Sequence, residues 1–431
     1  MIGRETNLIG ETVTASEGAY GQSDLEYRPI LRTAEVLEVV PGLIVTQHSG
    51  TGKANQYFLR GFNLDHGTDF ATFIDGMPVN MVTHGHGQGY SDFNFLIPEL
   101  IEKVSYTKGP YHAALGDFSS AGSAHIRTFD WLEQGFAMLT LGENHFYRAV
   151  VADSYDLNQR ETLLGAIESQ FYDGPWDNEE DLKQYKGVGK YTRQLKDGSI
   201  SFAVYGYDAE WDSADQIPKR AVQQGIISDL GSIDEDVGGE TSRYSFSTDF
   251  NKDSGTGLTT SNAYAVYYDM NLWSNFTYFL EDDINGDEFE QADERIISGF
   301  NLTHTIPYAE LFDRYTRHTL GLQMRYDSIE VGLYDTAGRK RLNTVREDDI
   351  NQFSAGLFYE NEIQWTERLK SIVGLRTDFY YFDVESDLSA NSGTEDDALV
   401  SPKISLVYNA NDLIEFYASA GLGYHSNDAR G

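Results

Sequence analysis

A chain of 431 residues with 68 Asp and Glu against 32 Lys and Arg carries a net charge of −36, too acidic to grip the phosphates of a nucleic acid. It has no cysteine, which closes disulfide, thiolate-metal and thiol-redox chemistry. No apolar run approaches the roughly 18 residues of a membrane helix, but a β-barrel shows lipid only every second residue and keeps its mean hydropathy low.

Tyr (28), Phe (24) and Gly (41) far outnumber Pro (9), a vocabulary of strands and turns. Met1-Ile2-Gly3-Arg4 lacks the ordered basic, apolar and cleavage regions of a signal peptide, so the expectation is an expression piece, a mature chain or a truncated gene. Arg32–Val40 has a helical pattern, with Leu31, Val36, Leu37 and Val40 on one face and Pro41-Gly42 as its stop. Leu43–Gln47, Tyr57–Arg60, Ala71–Ile74 and Ile101–Lys108 read as short strands between glycine-rich loops. Together they predict a compact α+β domain that ends near Phe129-Asp130-Trp131.

From Gln134 onward the pattern becomes long strands of period two joined by polar turns. Leu320, Leu322, Met324 and Tyr326 alternate with Thr319, Gly321, Gln323 and Arg325. Phe353, Ala355, Leu357, Tyr359, Asn361, Ile363 and Trp365 share one face of another strand. Ile414, Phe416, Ala418, Ala420, Leu422 and Tyr424 do the same in a third. Strands of roughly 10 to 16 residues exceed the soluble norm and suit a tilted membrane span. Trp211, Trp273, Trp365 and Tyr424 near strand ends suggest an interfacial aromatic girdle. Lys252–Gly257 and Asn411-Asp412 are tight turns, whereas Asp212–Glu240 and Glu281–Glu294 are long, which is the asymmetry of an outer-membrane barrel. Acids gather at Asp173–Asp181, Asp229–Glu240, Glu281–Glu294 and Glu395–Asp397, all read as loops. About 13 strands fit between Gln134 and His425. An open sheet edge cannot rest in lipid, so the barrel is expected to be unfinished.

Histidines are the most distinctive candidate site. His84-Gly85-His86-Gly87-Gln88-Gly89-Tyr90 follows Asp75-Gly76-Met77-Pro78, and Asp65-His66-Gly67 lies upstream. The three imidazoles His66, His84 and His86, with Asp65, could ligate a transition metal. They could equally hydrogen-bond an organic ligand, or simply shape a loop. There is no Gly-x-Ser-x-Gly elbow, no P-loop and no His-Glu-x-x-His helix, so an enzyme is not expected.

Three stretches together resemble the plug domain of the TonB-dependent outer-membrane receptors. One is Glu35-Val36-Leu37-Glu38-Val39-Val40-Pro41-Gly42-Leu43-Ile44-Val45. The second is Leu59-Arg60-Gly61-Phe62 followed by Phe73-Ile74-Asp75-Gly76-Met77-Pro78-Val79. The third is Ile101-Glu102-Lys103-Val104, Lys108-Gly109-Pro110, Leu115-Gly116 and Ala121-Gly122. The family's paired glycines and Ile-Asn strand are replaced by Gly122-Ser123-Ala124-His125-Ile126-Arg127, which puts the closing turn in question. The rest of the chain resembles the start of the family's barrel, and a 22-strand closure implies about nine strands beyond this sequence.

The resemblance implies a mainly β protein: a segment 1–20 with a possible TonB box, an α+β plug over 21–130, and an incomplete antiparallel transmembrane barrel over 131–431. Glu11-Thr12-Val13-Thr14-Ala15 resembles the TonB box, which binds TonB by strand addition, although it could instead be the first plug strand. Arg60, Gly61, Asp75, Gly76, Glu102 and Gly109 take structural roles in the plug, with Arg60 and Glu102 expected to pair with each other or with lumen carboxylates. Asp65, His66, His84, His86, Gln88 and Tyr90 fall at the outward apex of the plug, where family ligands rest. The implied partners are TonB, outer-membrane lipid and lipopolysaccharide, and a siderophore-like or metal ligand, with no resident cofactor. The rivals are an importer of free metal, a passive porin and a soluble β-rich binding or adhesion protein.

Overall fold

The computed structural model describes residues 12–48 and 50–431. Eight short strands come first: β1 (Glu17–Gly21), β2 (Leu43–Thr46), β3 (Gln56–Leu59), β4 (Phe62–Asn63), β5 (Phe70–Ile74), β6 (Met77–Pro78), β7 (Ile101–Lys108) and β8 (Gly122–Thr128). β1, β7, β8, β5 and β6 form one sheet in that order, and β2, β3 and β4 a second. The stretch expected to be helical is a 3-10 helix, Thr33–Val39, whose Ala34, Val36, Leu37 and Val39 are buried. Its apolar pattern is real, but the turn is tighter than an α-helix and Val40 is already extended before Pro41. Asp75 (φ 47°) and Gly76 (φ 80°) make the two-residue turn between β5 and β6, where both positions need the left-handed region.

Thirteen longer strands follow: β9 (Phe136–Leu141), β10 (Tyr147–Asn158), β11 (Glu161–Tyr172), β12 (Leu182–Leu195), β13 (Gly198–Asp212), β14 (Gly238–Asp253), β15 (Leu258–Ser274), β16 (Phe289–Leu311), β17 (Arg314–Ala337), β18 (Lys340–Thr366), β19 (Leu369–Ser386), β20 (Gly393–Asn411) and β21 (Ile414–Gly421). They pair in chain order, every neighbour antiparallel, in a single sheet. The first globule fills its concave side, and one apolar cluster runs from Val36, Leu37 and Ile74 into Val150, Leu164, Tyr205 and Tyr268 of the wall.

Alternation decides which side is which. Leu320, Met324, Tyr326, Leu357, Tyr359, Phe416 and Leu422 are exposed on the convex face, while Phe358, Ser405 and Arg376 are buried on the concave one. Strands reach 27 residues in β18, longer than the span alone requires, because β17 and β18 continue past the long-loop rim as a hairpin. Glu395–Asp397 lies inside β20 and Glu290–Glu294 inside β16, so these two acidic stretches are strand rather than loop. The tryptophan girdle is also corrected. Trp211 and Trp273 are both buried (2% and 9% exposed): Trp211 faces the lumen side, while Trp273 has the convex-face parity of Asp269 and lies under the Arg339 guanidinium, 5.1 Å from its ring. The indole of Trp211 lies against the backbone at Gly50 and Gly52. The exposed convex-face aromatics are mostly tyrosines, among them Tyr155, Tyr185, Tyr244 and Tyr326.

Candidate functional site

The loop between β6 and β7 carries His84 and His86, and that between β4 and β5 carries His66, to the rim with the long connections. There the structure brings His66, His84, His86 and Tyr90 together. The rings of His66 and His86 lie 4.8 Å apart, and His84 stacks on Tyr90 at 4.0 Å and 7°. His66 Nδ1 donates to the carbonyl of Ala54 (3.1 Å), while Tyr90 Oη accepts from the Ala54 amide (2.8 Å). His86 Nδ1 meets Gln291 Oε1 on β16 at 2.8 Å, and the His86 amide donates to His84 Nδ1 at 3.1 Å. Gln88 accepts from the Thr83 amide (2.6 Å) and donates to the Ser426 carbonyl (2.6 Å). Asp65 stays half exposed, with Oδ1 3.8 Å from His66 Nε2.

The expected display of these groups to a ligand is not what the structure contains. His84 is fully buried and His66 is 4% exposed. Burial, reinforced by Arg295 and Arg430, holds the His84 imidazole well below its usual range, and burial beside Lys53 does the same to His86. Both rings are neutral at pH 7. His84 Nε2 has no hydrogen-bond partner and lies 3.8 Å from Asp293 Oδ2. Among the described residues, the triads whose ligand atoms fit around one metal ion are His145, Asp173, Glu179 and Asp234, Asp236, Glu288, both at the long-loop rim. The nitrogens of His66, His84 and His86 do not converge in that way.

What holds the globule in the sheet is a repeated device. Arg295 Nη1 donates to the Val82 carbonyl (2.6 Å) and Nη2 to Thr83 (3.1 Å), while Asp293 two residues away takes Nε (2.7 Å) and Nη2 (2.6 Å). Arg325 does the same for the Asn80 carbonyl (2.8 Å), held by Asp327. Arg376 reaches the Ala114 carbonyl (3.3 Å), held by Asp378 (2.6 Å). Arg430, paired with Asp428, donates to the His84 carbonyl at 3.1 Å. Residues two apart on a strand share a face, so each carboxylate neutralises and aims its guanidinium. Asn80, Asp117, Arg325 and Arg376 line a cavity of about 100 Å³ left between globule and wall. At the opposite, short-turn end Asp75 accepts from the Thr128 amide (2.9 Å), Tyr205 Oη (3.0 Å) and Lys190 Nζ (3.3 Å). Asn301 also reaches the Gly76 carbonyl at 3.2 Å. The pattern Arg-x-Asp or Asp-x-Arg within alternating strands is the sequence signal for this cradle; of the charged residues singled out from the sequence, Asp75 joins plug to wall, while Arg60 and Glu102 do not. These two do not pair: Arg60 Nη2 contacts Ser16 Oγ (3.3 Å), and Glu102 pairs with Arg127 (3.3 Å). Arg60 (φ 53°) and Gly61 (φ 85°) lie in a left-handed turn that points the arginine out to the surface. Gly109 (φ 95°) is a further turn position. Of the box-like stretch, Glu11 lies outside the described residues, and Thr12–Ala15 occupy bends and a turn ahead of β1.

Residues 10–123 match a family model described as the TonB-dependent Receptor Plug Domain, and residues 170–430 match one described as TonB dependent receptor-like, beta-barrel. The chain belongs to the TonB-dependent receptor family. The globule is the plug and the thirteen-stranded sheet is barrel wall, and the family's members reside in the outer membrane of Gram-negative bacteria. Among solved structures, the receptor is similar to the ferric citrate transporter FecA in unliganded form, with TM-score 0.80 and 12% identity. That match covers 97% of this chain and 64% of FecA. The pyoverdine outer membrane receptor FpvA from Pseudomonas aeruginosa PAO1 matches at TM-score 0.75 and 14% identity, covering 93% and 61%. The copper transporter OprC matches at 0.72 and 17%, covering 97% and 63%. The chain therefore spans under two thirds of the length of each. These relatives are receptors and transporters, and the soluble and porin readings give way to the family.

Proposed function

We propose that the complete receptor imports a scarce solute across the outer membrane, a ferric siderophore or a similar metal chelate, using energy delivered by TonB at the N-terminal segment. The observation that carries this reading is a lumen filled by a plug that is tied to the wall through polar, re-formable contacts rather than apolar packing alone. Such a plug closes a passive route and needs work to move it. The ferric citrate transporter FecA, the pyoverdine receptor FpvA and the siderophore receptor PirA from Acinetobacter baumannii favour a ferric chelate. Catalysis has no part in it. A second reading, import of a free transition metal, draws on the cluster of His66, His84 and His86 and on the unpaired Nε2 of His84. It requires the loop over residues 82–88 to open first.

Cells expressing the intact receptor with or without residues 1–16 test the proposal, with radioactive ferric citrate and a ferric hydroxamate as probes. The truncated receptor should retain surface binding and lose uptake. Uptake that survives the deletion, or that persists after the proton gradient is collapsed, refutes energised import. The metal reading predicts that H84A and H86A abolish saturable binding of copper or zinc while chelate binding stays.

A further inference from the structure

The turn ahead of β1 is fastened at three points. Glu17, at the start of β1, accepts the amides of Val13 and Thr14 (the latter at 3.1 Å) through Oε1. Its other oxygen takes His112 Nε2 at 3.1 Å and Thr107 Oγ1 at 3.5 Å. His112 belongs to the plug loop between β7 and β8, and its Nδ1 lies 3.7 Å from Glu360 Oε2 on β18. That same oxygen accepts the Ala113 amide at 2.8 Å. Val13 is packed among Ile372, Val407 and Tyr417 of the wall, and Thr12 Oγ1 lies 3.3 Å from Tyr417 Oη. N-terminal turn, plug loop and barrel wall thus meet in one series: backbone amides, carboxylate, imidazolium, carboxylate.

An imidazolium hydrogen-bonded to one carboxylate and ion-paired at 3.7 Å with a second is short-ranged. It holds firmly while aligned and fails once either acid moves by a few ångströms. Any force applied through residues 12–16 reaches Glu17 before it reaches the plug sheet, because Glu17 caps those residues and opens β1. We infer that Glu17, His112 and Glu360 form a latch that keeps the N-terminal turn closed against the wall, and that the latch opens before the plug is displaced. The inference rests on the proposed energised import, which supplies the force. The Arg–Asp cradle at the other rim is chemically distinct and stays engaged when the latch opens.

These 431 residues hold no cysteine, so Thr14→Cys, in a receptor freed of any cysteine outside them, provides the sole thiol, at a position that is 6% exposed. The intact receptor carrying T14C, in outer-membrane vesicles, is labelled with a polymer-linked maleimide, with heat-modifiable gel mobility reporting the folded barrel. E17Q, H112Q and E360Q should each speed labelling about ten- to a hundred-fold, the loss expected for one charge-assisted hydrogen bond. H112K, which keeps a cation but not the ring's geometry, should recover only part of the protection lost in H112Q. Unchanged labelling in H112Q overturns the latch, and so does an E360Q rate equal to the parent's, because the wall would then hold nothing. A variant that fails to fold is replaced by T107V with E17D, which weakens the same carboxylate without removing its charge and must speed labelling for the latch to stand. Labelling needs neither TonB nor ligand. If the parent imports no ferric chelate yet the labelling shifts appear, the import reading fails and the latch stands.

Discussion

Removing Arg295 tests whether the cradle holds the plug apex. The guanidinium is fully buried, donates to two plug carbonyls, and is the near neighbour of the equally buried Asp293. In R295A the carbonyls of Val82 and Thr83 lose charged donors, each worth about 1.5–3 kcal/mol. Asp293 keeps only the Gly85 amide (2.8 Å) and the more distant His84. Breaking a buried pair from one side costs about 3–5 kcal/mol, two to three and a half orders of magnitude in the opening equilibrium of the loop. Amide hydrogen exchange reads that equilibrium directly, at Gly85 and at Met81, whose amide donates to the Tyr90 carbonyl at 2.9 Å. Exchange at both should accelerate by about two orders of magnitude or more, up to the ceiling set by global opening. The double change D293L/R295M removes both charges and should recover most of the protection, because no unpaired ion remains. His84 adds no pH signature. Burial is the main cause of its neutrality, and Arg430 and His66 act with Arg295, so His84 should stay neutral in R295A and the defect should not vary with pH through the usual imidazole range. Protection unchanged in R295A, or a double variant as open as the sum of two single ones, would refute the cradle.

At the opposite rim, D75A removes the acceptor shared by Thr128, Tyr205 and Lys190, while Lys190 retains Asp130 at 2.8 Å. The plug should lose about 2–3 kcal/mol, measured as a lower urea midpoint for exchange at the Thr128 amide. A Cβ at Gly52 would fall 1.9 Å from the Trp211 ring, so G52A should cost about 1–3 kcal/mol and shift tryptophan fluorescence as the indole leaves its slot. For His112, burial opposes the charge, but the hydrogen bond to Glu17 and the nearby Glu360 carboxylate push the imidazole up to about 10. A folded value raised above 6.5 means its contribution is whole below that pH and is lost as pH rises through about 10. Glu17 is also buried, yet His112 and the amides of Val13 and Thr14 lower it, so its contribution survives until the pH falls below the ordinary 4.5. Glu360 and Thr107 face the same ring, with Arg317 beside Glu360 and His125 behind it. Normalised to the rate of the unfolded T14C variant, which carries the thiol's own titration, labelling should therefore be flat between about pH 5 and 6.5 and rise steadily from there to about pH 10.

The long strands were legible because one face of each meets lipid and must be apolar, so Leu320, Met324, Leu357 and Phe416 announce the period. Short plug strands were legible from their ends, where Pro41-Gly42 and Asp75-Gly76 dictate turns. The lumen side was not. Alternation says that Trp211 and Arg295 face one side or the other, but a polar, plug-filled lumen accepts an arginine as readily as an indole, so residue type does not assign the face. The contacts of Arg60 were misjudged for a different reason: its own backbone lies in a left-handed turn, and that geometry, not charge, sends the side chain outward. The histidines lie together as the sequence suggests, but their burial is not legible there, since nothing in His-Gly-His-Gly reveals that Gln291 and Asp293, some 200 residues later, will cover it.

The net charge of −36 finds its explanation in the same geometry. Acids buried at the plug interface are matched: Asp293 by Arg295, Asp327 by Arg325, Asp378 by Arg376, Glu168 by Lys186 and Arg148. Asp269, Glu294, Glu330, Asp349 and Glu385, by contrast, stand directly opposite one another across five neighbouring strands, side chains on the convex face. Like charges in such a row repel by about 1 kcal/mol per pair in water and by many times that in a dry medium. The row can exist only where water reaches it. Four residues nearer the short-turn rim the corresponding row reads Ala265, Ser298, Tyr326, Phe353 and Tyr381, and the next reads Ala263, Phe300, Met324, Ala355 and Phe379. The upper edge of the lipid band is thereby fixed between the acids and the tyrosines, and these five acids sit on the wet side of it.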